Sequence, residues 1–160
     1  MESELKKMSV ECYYPVKLVV HEHNGEQAVI REPAVSSLIF IHCSTTQAEE
    51  IQRCFDGRVI LYRYRSSRRP AVISDREMNA FKMVTSGSNP DLEYMDANAV
   101  NFKKGQHVRV TGGPFEGAVG YIQRIKGNKR LIVAIEGVVA VATSYIPSCL
   151  LQKLDDNDKP

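Results

Sequence analysis

Between Arg58 and Arg69 the chain carries five arginines, Arg58, Arg63, Arg65, Arg68 and Arg69, and no acidic residue. Tyr62 and Tyr64 are interleaved with them. Guanidinium groups pair with phosphate or carboxylate oxygens, and tyrosine rings stack on unpaired bases, so this stretch is a candidate contact for the phosphates of RNA or DNA or for an acidic protein surface. It fits equally well the exposed face of a strand with half-buried tyrosines. A second basic set, Lys126, Lys129 and Arg130, surrounds the dipeptide Gly127-Asn128. Residues 101–154 hold eight Lys/Arg against two acids, Glu116 and Glu136. Such an excess favours an anionic partner, although a solvated charged surface accounts for the charge alone.

Other polar residues offer less chemistry. His21, His23, His42 and Cys43 are metal-ligand types, but no fourth ligand stands at a recognisable spacing. They read as ordinary turn and strand residues, and neither a metal nor another cofactor is expected. Cys12, Cys43, Cys54 and Cys149 form no CxxC and suit neither a zinc site nor a disulfide framework. There is no GxSxG, no phosphate-binding glycine loop and no paired-carboxylate arrangement, so no enzyme is expected. The net charge of +2 is uninformative until divided by segment. No apolar run approaches the ~20 residues of a membrane span. The charged start, MESELKKMSVE, lacks the apolar core of a secretory signal. The expected location is cytoplasmic, with no membrane partner.

The elements that must position these residues are short. A weak helix is read within Glu2 to Glu11. Tyr13 to Val20 alternates as a strand, with Pro15 near its start. Asn24-Gly25 turns it, and Gln27 to Arg31 returns antiparallel. Val35 to His42 is a nearly continuous apolar run, which predicts a central strand covered on both faces. A helix follows to about Phe55, capped by Ser44, Thr45 or Thr46, with Thr46-x-x-Glu49 at capping-box spacing. Arg58 to Arg65 is read as a strand. Ser74-x-x-Glu77 opens a further helix, continued by Met78, Phe81 and Val84. Thr85 to Val100 is poor in pattern and reads as a linker. Val108 to Ile135 returns to alternation of period two between glycine-rich turns, the signature of short antiparallel strands.

That last stretch resembles a known module. Gly105-x-x-Val108-x-Val110-x-x-Gly113-Pro114-Phe115-x-Gly117-x-x-Gly120-x-Ile122 looks like the KOW motif of small SH3-like β-barrels. Gly105, Gly113, Pro114, Gly117 and Gly120 are then turn residues, with glycine supplying φ > 0 at sharp bends. The first half resembles the NGN domain of NusG-type transcription factors. Arg69-Pro70-Ala71-Val72-Ile73-Ser74-Asp75-Arg76-Glu77-Met78 is similar to that family's entry into its last helix. NGN domains open with a strand bearing an aromatic pair such as Trp-Tyr, and this chain has no Trp. Nor does Ser36-Ser37-Leu38 reproduce the Pro-Gly-Tyr of many members. Both departures fit a specialised paralogue, such as an antiterminator of a surface-polysaccharide operon.

The expected fold class is α+β: an antiparallel NGN-like sheet with helices, then an SH3-like β-barrel. The expected divisions are 1–84 for the NGN-like domain lacking its usual first strand, 85–100 for a flexible linker, 101–154 for the KOW barrel and 155–160 for a frayed acidic tail. A sheet short of one strand leaves backbone groups unpaired, which predicts self-association through that edge or a partly open N-terminal half. The resemblance implies that the NGN-like part binds RNA polymerase. It implies that the KOW part recruits a small-subunit ribosomal protein or the termination factor Rho, with Phe115 and Ile146 as candidate contacts. Phe115 also fits a barrel plug. The alternative is a KOW-containing ribosomal or ribosome-assembly protein that binds RNA. One family member holds this module as a helical hairpin. The density of Val, Ile, Thr and Gly here predicts strands instead.

Overall fold

A computed structural model describes residues 1–23, 25–63, 69–87, 89–97, 105–125, 127–135 and 137–154. Its contacts divide the chain into two units, Met1–Tyr14 with Val35–Val72, and Pro15–Ala34 with Ile73–Pro160. Short helices and antiparallel sheets make it an α+β protein, as expected.

The first unit is built on a small apolar cluster. Helix α1, Glu2–Lys7, points Leu5 inward, and helix α2, Thr45–Cys54, adds Ile51, with Phe55 at its end. Two three-residue strands, β1 (Glu11–Tyr13) and β4 (Phe40–His42), pair antiparallel with Cys12 opposite Ile41. Cys12, Ile39, Ile41 and Cys43 pack on the cluster. Burying an Ile, Leu or Phe side chain contributes about 1.5–3 kcal/mol, so these few residues dominate the unit.

Three local expectations are corrected here. The run Val35 to His42 is no central strand. Ser37 adopts φ 60°, which turns the chain, and only Phe40–His42 pairs, with β1 alone. The cap of α2 is Ser44, whose hydroxyl accepts from the Gln47 amide at 3.2 Å, and the Thr46-x-x-Glu49 box does not form, because Thr46 already lies inside the helix. The described part of the Arg58 to Arg65 run, residues 58–63, forms no strand. Its described residues meet one isolated bridge, Arg63 to Pro70, and Ile60 is 84% exposed, so no sheet accepts them.

The second unit begins with a hairpin of β2 (Val16–His23) and β3 (Glu26–Pro33), turned at Gly25 with φ 82°. The strand read from Tyr13 is thus broken at Tyr14-Pro15, because proline cannot donate to a ladder. The single NGN-like sheet expected from the sequence is here two separate two-stranded sheets, β1–β4 and β2–β3. Helix α3 runs Asp75–Thr85 under the predicted capping box: Ser74 accepts from the Glu77 amide, and Glu77 returns a carboxylate to the Ser74 amide at 3.0 Å.

Six strands complete this unit: β5 (Glu93–Met95), β6 (Gln106–Val110), β7 (Val119–Ile125), β8 (Asn128–Ile135), β9 (Val139–Tyr145) and β10 (Leu151–Lys153). Their hydrogen-bonded order is β10-β6-β7-β8-β9-β5, antiparallel throughout. Strand β5 lies within the segment read as a linker. Its three residues pair with Ala140, Val141 and Ala142, a contact too short to leave a periodic signal. Residues 98–104 of that segment and the adjoining start, and the tail 155–160, lie outside the described residues. Leu131, Val133, Ile135, Val139 and Val141 are fully or almost fully buried. Helix α3 packs against β8 and, less extensively, β9.

Turn chemistry is legible with two adjustments. Asn128 pairs with Ile125 and so belongs to β8, which leaves Gly127, at φ 84°, in the β7–β8 connection. Gly113 and Gly117 adopt φ 84° and 85°, as a sharp bend requires, but Gly120 owes its identity to close approach. A Cβ there would stand 2.3 Å from the Ile132 carbonyl oxygen. Gly120→Ala must therefore push β7 from β8, with an expected loss of about 2–4 kcal/mol in a urea titration. Gly127→Ala, at φ 84° but in open space, is expected to lose about 1–2 kcal/mol. Equal losses would contradict this assignment.

Candidate functional site

The arginine-rich stretch starts from the end of α2. Arg58 lays its guanidinium over the Phe55 ring at 5.4 Å, donates from Nε to the Phe55 carbonyl at 3.3 Å, and has Nη1 4.0 Å from Glu4. Its Nε is thus engaged within the unit, while the side chain as a whole is exposed. Tyr62 is 46% exposed, and its carbonyl accepts from the Ala71 amide at 2.8 Å. That bond and the Arg63–Pro70 bridge draw the two sides of the loop together. Arg63 and Arg69 are exposed on it, beside the exposed apolar side chains of Ile60 and Val72. The loop therefore presents arginine, tyrosine and aliphatic groups on one short segment. Tyr64, Arg65 and Arg68 lie outside the described residues.

The C-terminal basic set is divided rather than clustered. Lys129 is exposed and donates from Nζ to Ser148 at 3.4 Å. Arg130 points the other way: its side chain is 19% exposed, Nη1 pairs with Glu93 at 3.0 Å, and its buried Nε has no hydrogen-bond partner among the described residues. A register shift between Arg130 and Ile132 sets this geometry, and buried Thr143 accepts the Leu131 amide at the irregularity. Arg130 and the Pro90–Glu93 segment, with Ser144 and Tyr145, frame an open groove of about 550 Å³. Lys126 lies outside the described residues.

Phe115 and Ile146 are buried, at 6% and 4% exposure, so neither presents an open contact in this conformation. Gly113 and Gly117 bound the turn that carries Phe115, Pro114 is exposed on it, and Gly105 abuts the Tyr121 side chain. The remaining polar candidates are locally paired: His21 with Glu32 at 2.9 Å and His42 with Glu11 at 3.5 Å. The His23 side chain lies outside the described ones. Burial pushes the Cys12 and Cys43 thiols up from their ordinary range, which disfavours the nucleophilic thiolate.

Residue spacing missed two features. The Glu93–Arg130 pair joins residues far apart in sequence, and no local pattern connects them. The exposed trio Leu18, Val20 and Val29, on one face of the β2–β3 hairpin, was read as ordinary strand alternation. Its signal was that neither strand alternates apolar with polar throughout. Glu93→Ala would leave a largely buried guanidinium without its carboxylate. Its expected cost is about 1–3 kcal/mol by chemical denaturation, against about 0.5 kcal/mol or less for Lys129→Ala. The reverse order would contradict the pairing.

Comparison with known proteins bears on this geometry at one end. A family model described as NusG, transcription termination factor nusG, matches residues 1–82. No curated protein matches the chain.

Proposed function

The chain belongs to the NusG family of transcription factors, and from that premise we propose that it is an elongation or antitermination factor acting without catalysis. The observation that carries this reading is the family match over residues 1–82, which ends inside the capped helix α3. In this reading the N-terminal part binds RNA polymerase and suppresses pausing. The Ile60–Arg63 and Arg69–Val72 loop supports it, because it offers an exposed surface of mixed apolar, aromatic and basic chemistry. Such a surface suits either a protein contact or a nucleic-acid strand held against one.

The C-terminal sheet recruits the second partner, a small-subunit ribosomal protein, Rho or RNA. Its KOW-like turn and its basic residues support that role. The burial of Phe115 and Ile146 means that their engagement requires a local rearrangement. The departure of Ser36-Ser37-Leu38 from the family's Pro-Gly-Tyr supports a specialised paralogue acting on one class of operon, such as a surface-polysaccharide operon, in the cytoplasm. Self-association through unpaired strand edges remains part of the proposal, carried by the two open edges of the β2–β3 pair among the described residues.

Affinity purification of the tagged full chain from its own cells is expected to recover RNA polymerase subunits. Recovery of ribosomal subunits without polymerase would overturn the reading in favour of a ribosomal or ribosome-assembly protein.

A further inference from the structure

Helix α3 sits at an unusual boundary. The family match reaches residue 82 and so takes in most of the helix, whose span is Asp75–Thr85. Its apolar face, however, packs on the C-terminal sheet, against β8 and β9. Phe81, Val84 and Thr85 stand at i, i+3 and i+4 and are at most 1% exposed. That spacing is one stripe of a helix surface, wide enough to cover one sheet. Met83 leans on the glycine turn between β6 and β7, where a Cβ built on Gly117 would lie 3.6 Å from Met83 Cε. The same turn carries Phe115, which is buried.

The helix meets its own terminal requirements. Ser74 and Glu77 close the capping box at its start, and Thr85 Oγ1 donates to the Phe81 carbonyl at 2.7 Å near its end. Exposed Ser86 and Gly87 follow it. Its first-turn amides thus do not depend on the sheet for partners, and its attachment is a narrow apolar stripe.

We propose that α3 is a detachable cover of the C-terminal sheet. The β8–β9 surface and the Gly112–Gly117 turn form a docking site for an amphipathic helix, and α3 fills that site in cis. Displacement of α3 opens the site to a helix of similar stripe from a partner protein. The proposal stands apart from the polymerase reading, since it concerns only the second unit and is tested without transcription machinery.

The test uses the full chain and a fluorescent peptide of residues 73–87. Ala80→Pro breaks α3 in the chain and empties the site. The peptide is expected to bind this variant at least tenfold more tightly than the unsubstituted chain. Amide exchange is expected to rise over Thr111–Ala118 while β6–β9 stay protected. Met83→Glu gives a second reading without a helix breaker, because it sets a carboxylate beside Gly117. It too is expected to raise exchange in the turn with the sheet intact. Equal peptide binding to both chains would overturn the proposal. So would no binding to an Ala80→Pro variant whose sheet is intact. Loss of β6–β9 protection in both variants would also overturn it, by making α3 an inseparable part of the sheet core.

Discussion

A helix with a single apolar stripe must lay it on one surface, and in this protein α3 lays it on β8 and β9. Much of the second unit follows from that contact. Buried Phe81 and Val84 bring the C-terminal end of the helix to the sheet, and Met83 then reaches the glycine turn. The turn is narrow because Gly113 and Gly117 adopt left-handed backbone angles. The strands beyond it approach closely because Gly120 leaves room for the Ile132 carbonyl. The basic residues then divide by face. Lys129 reaches solvent, while Arg130 turns to Glu93 on the edge strand β5.

The first unit rests on far less. Its cluster of Leu5, Val10, Ile51 and Phe55 is capped by a two-stranded pair of three residues each. Such a pair is marginal alone, so the helices carry the burial. The arginine-rich loop hangs from this frame. Arg58, Arg63 and Arg69 are all exposed, and Arg58 also reaches back through Nε to the Phe55 carbonyl. In charge terms the loop is one patch. In geometric terms it is anchored at the Arg58 end, and its exposed arginines suit a partner.

Where local chemistry is sufficient, the sequence is a reliable guide. Ser74-x-x-Glu77 satisfies its own amides, and the helix begins where it must. Strands β2 and β3, with Gly25 between them, form the expected hairpin. The α+β class and the antiparallel C-terminal strands were equally legible from alternation between glycine turns. Where the outcome depends on distant partners, the pattern misleads. Val35 to His42 is apolar enough for a central strand, yet only β1 is beside it, and Ser37 turns the chain first. Arg58 to Arg65 alternates like a strand, but its described residues, 58–63, join no sheet beyond one isolated bridge. Glu93–Met95 is unremarkable in sequence and becomes a strand because β9 offers an edge. Of the candidate site, residue types were legible; which arginine is buried, and that Phe115 and Ile146 are covered, were not, since both depend on tertiary neighbours.

The match that shows NusG family membership ends within α3, and α3 itself packs on the C-terminal sheet. Native-state amide exchange along a urea series, on the unsubstituted full chain, tests that link most directly. The amides of α3 are predicted to lose protection together with the Gly112–Gly117 turn, in a step that precedes β8 and β9 and is separate from α2. Loss of α3 protection in step with α2, while β8 and β9 remain protected, would contradict it.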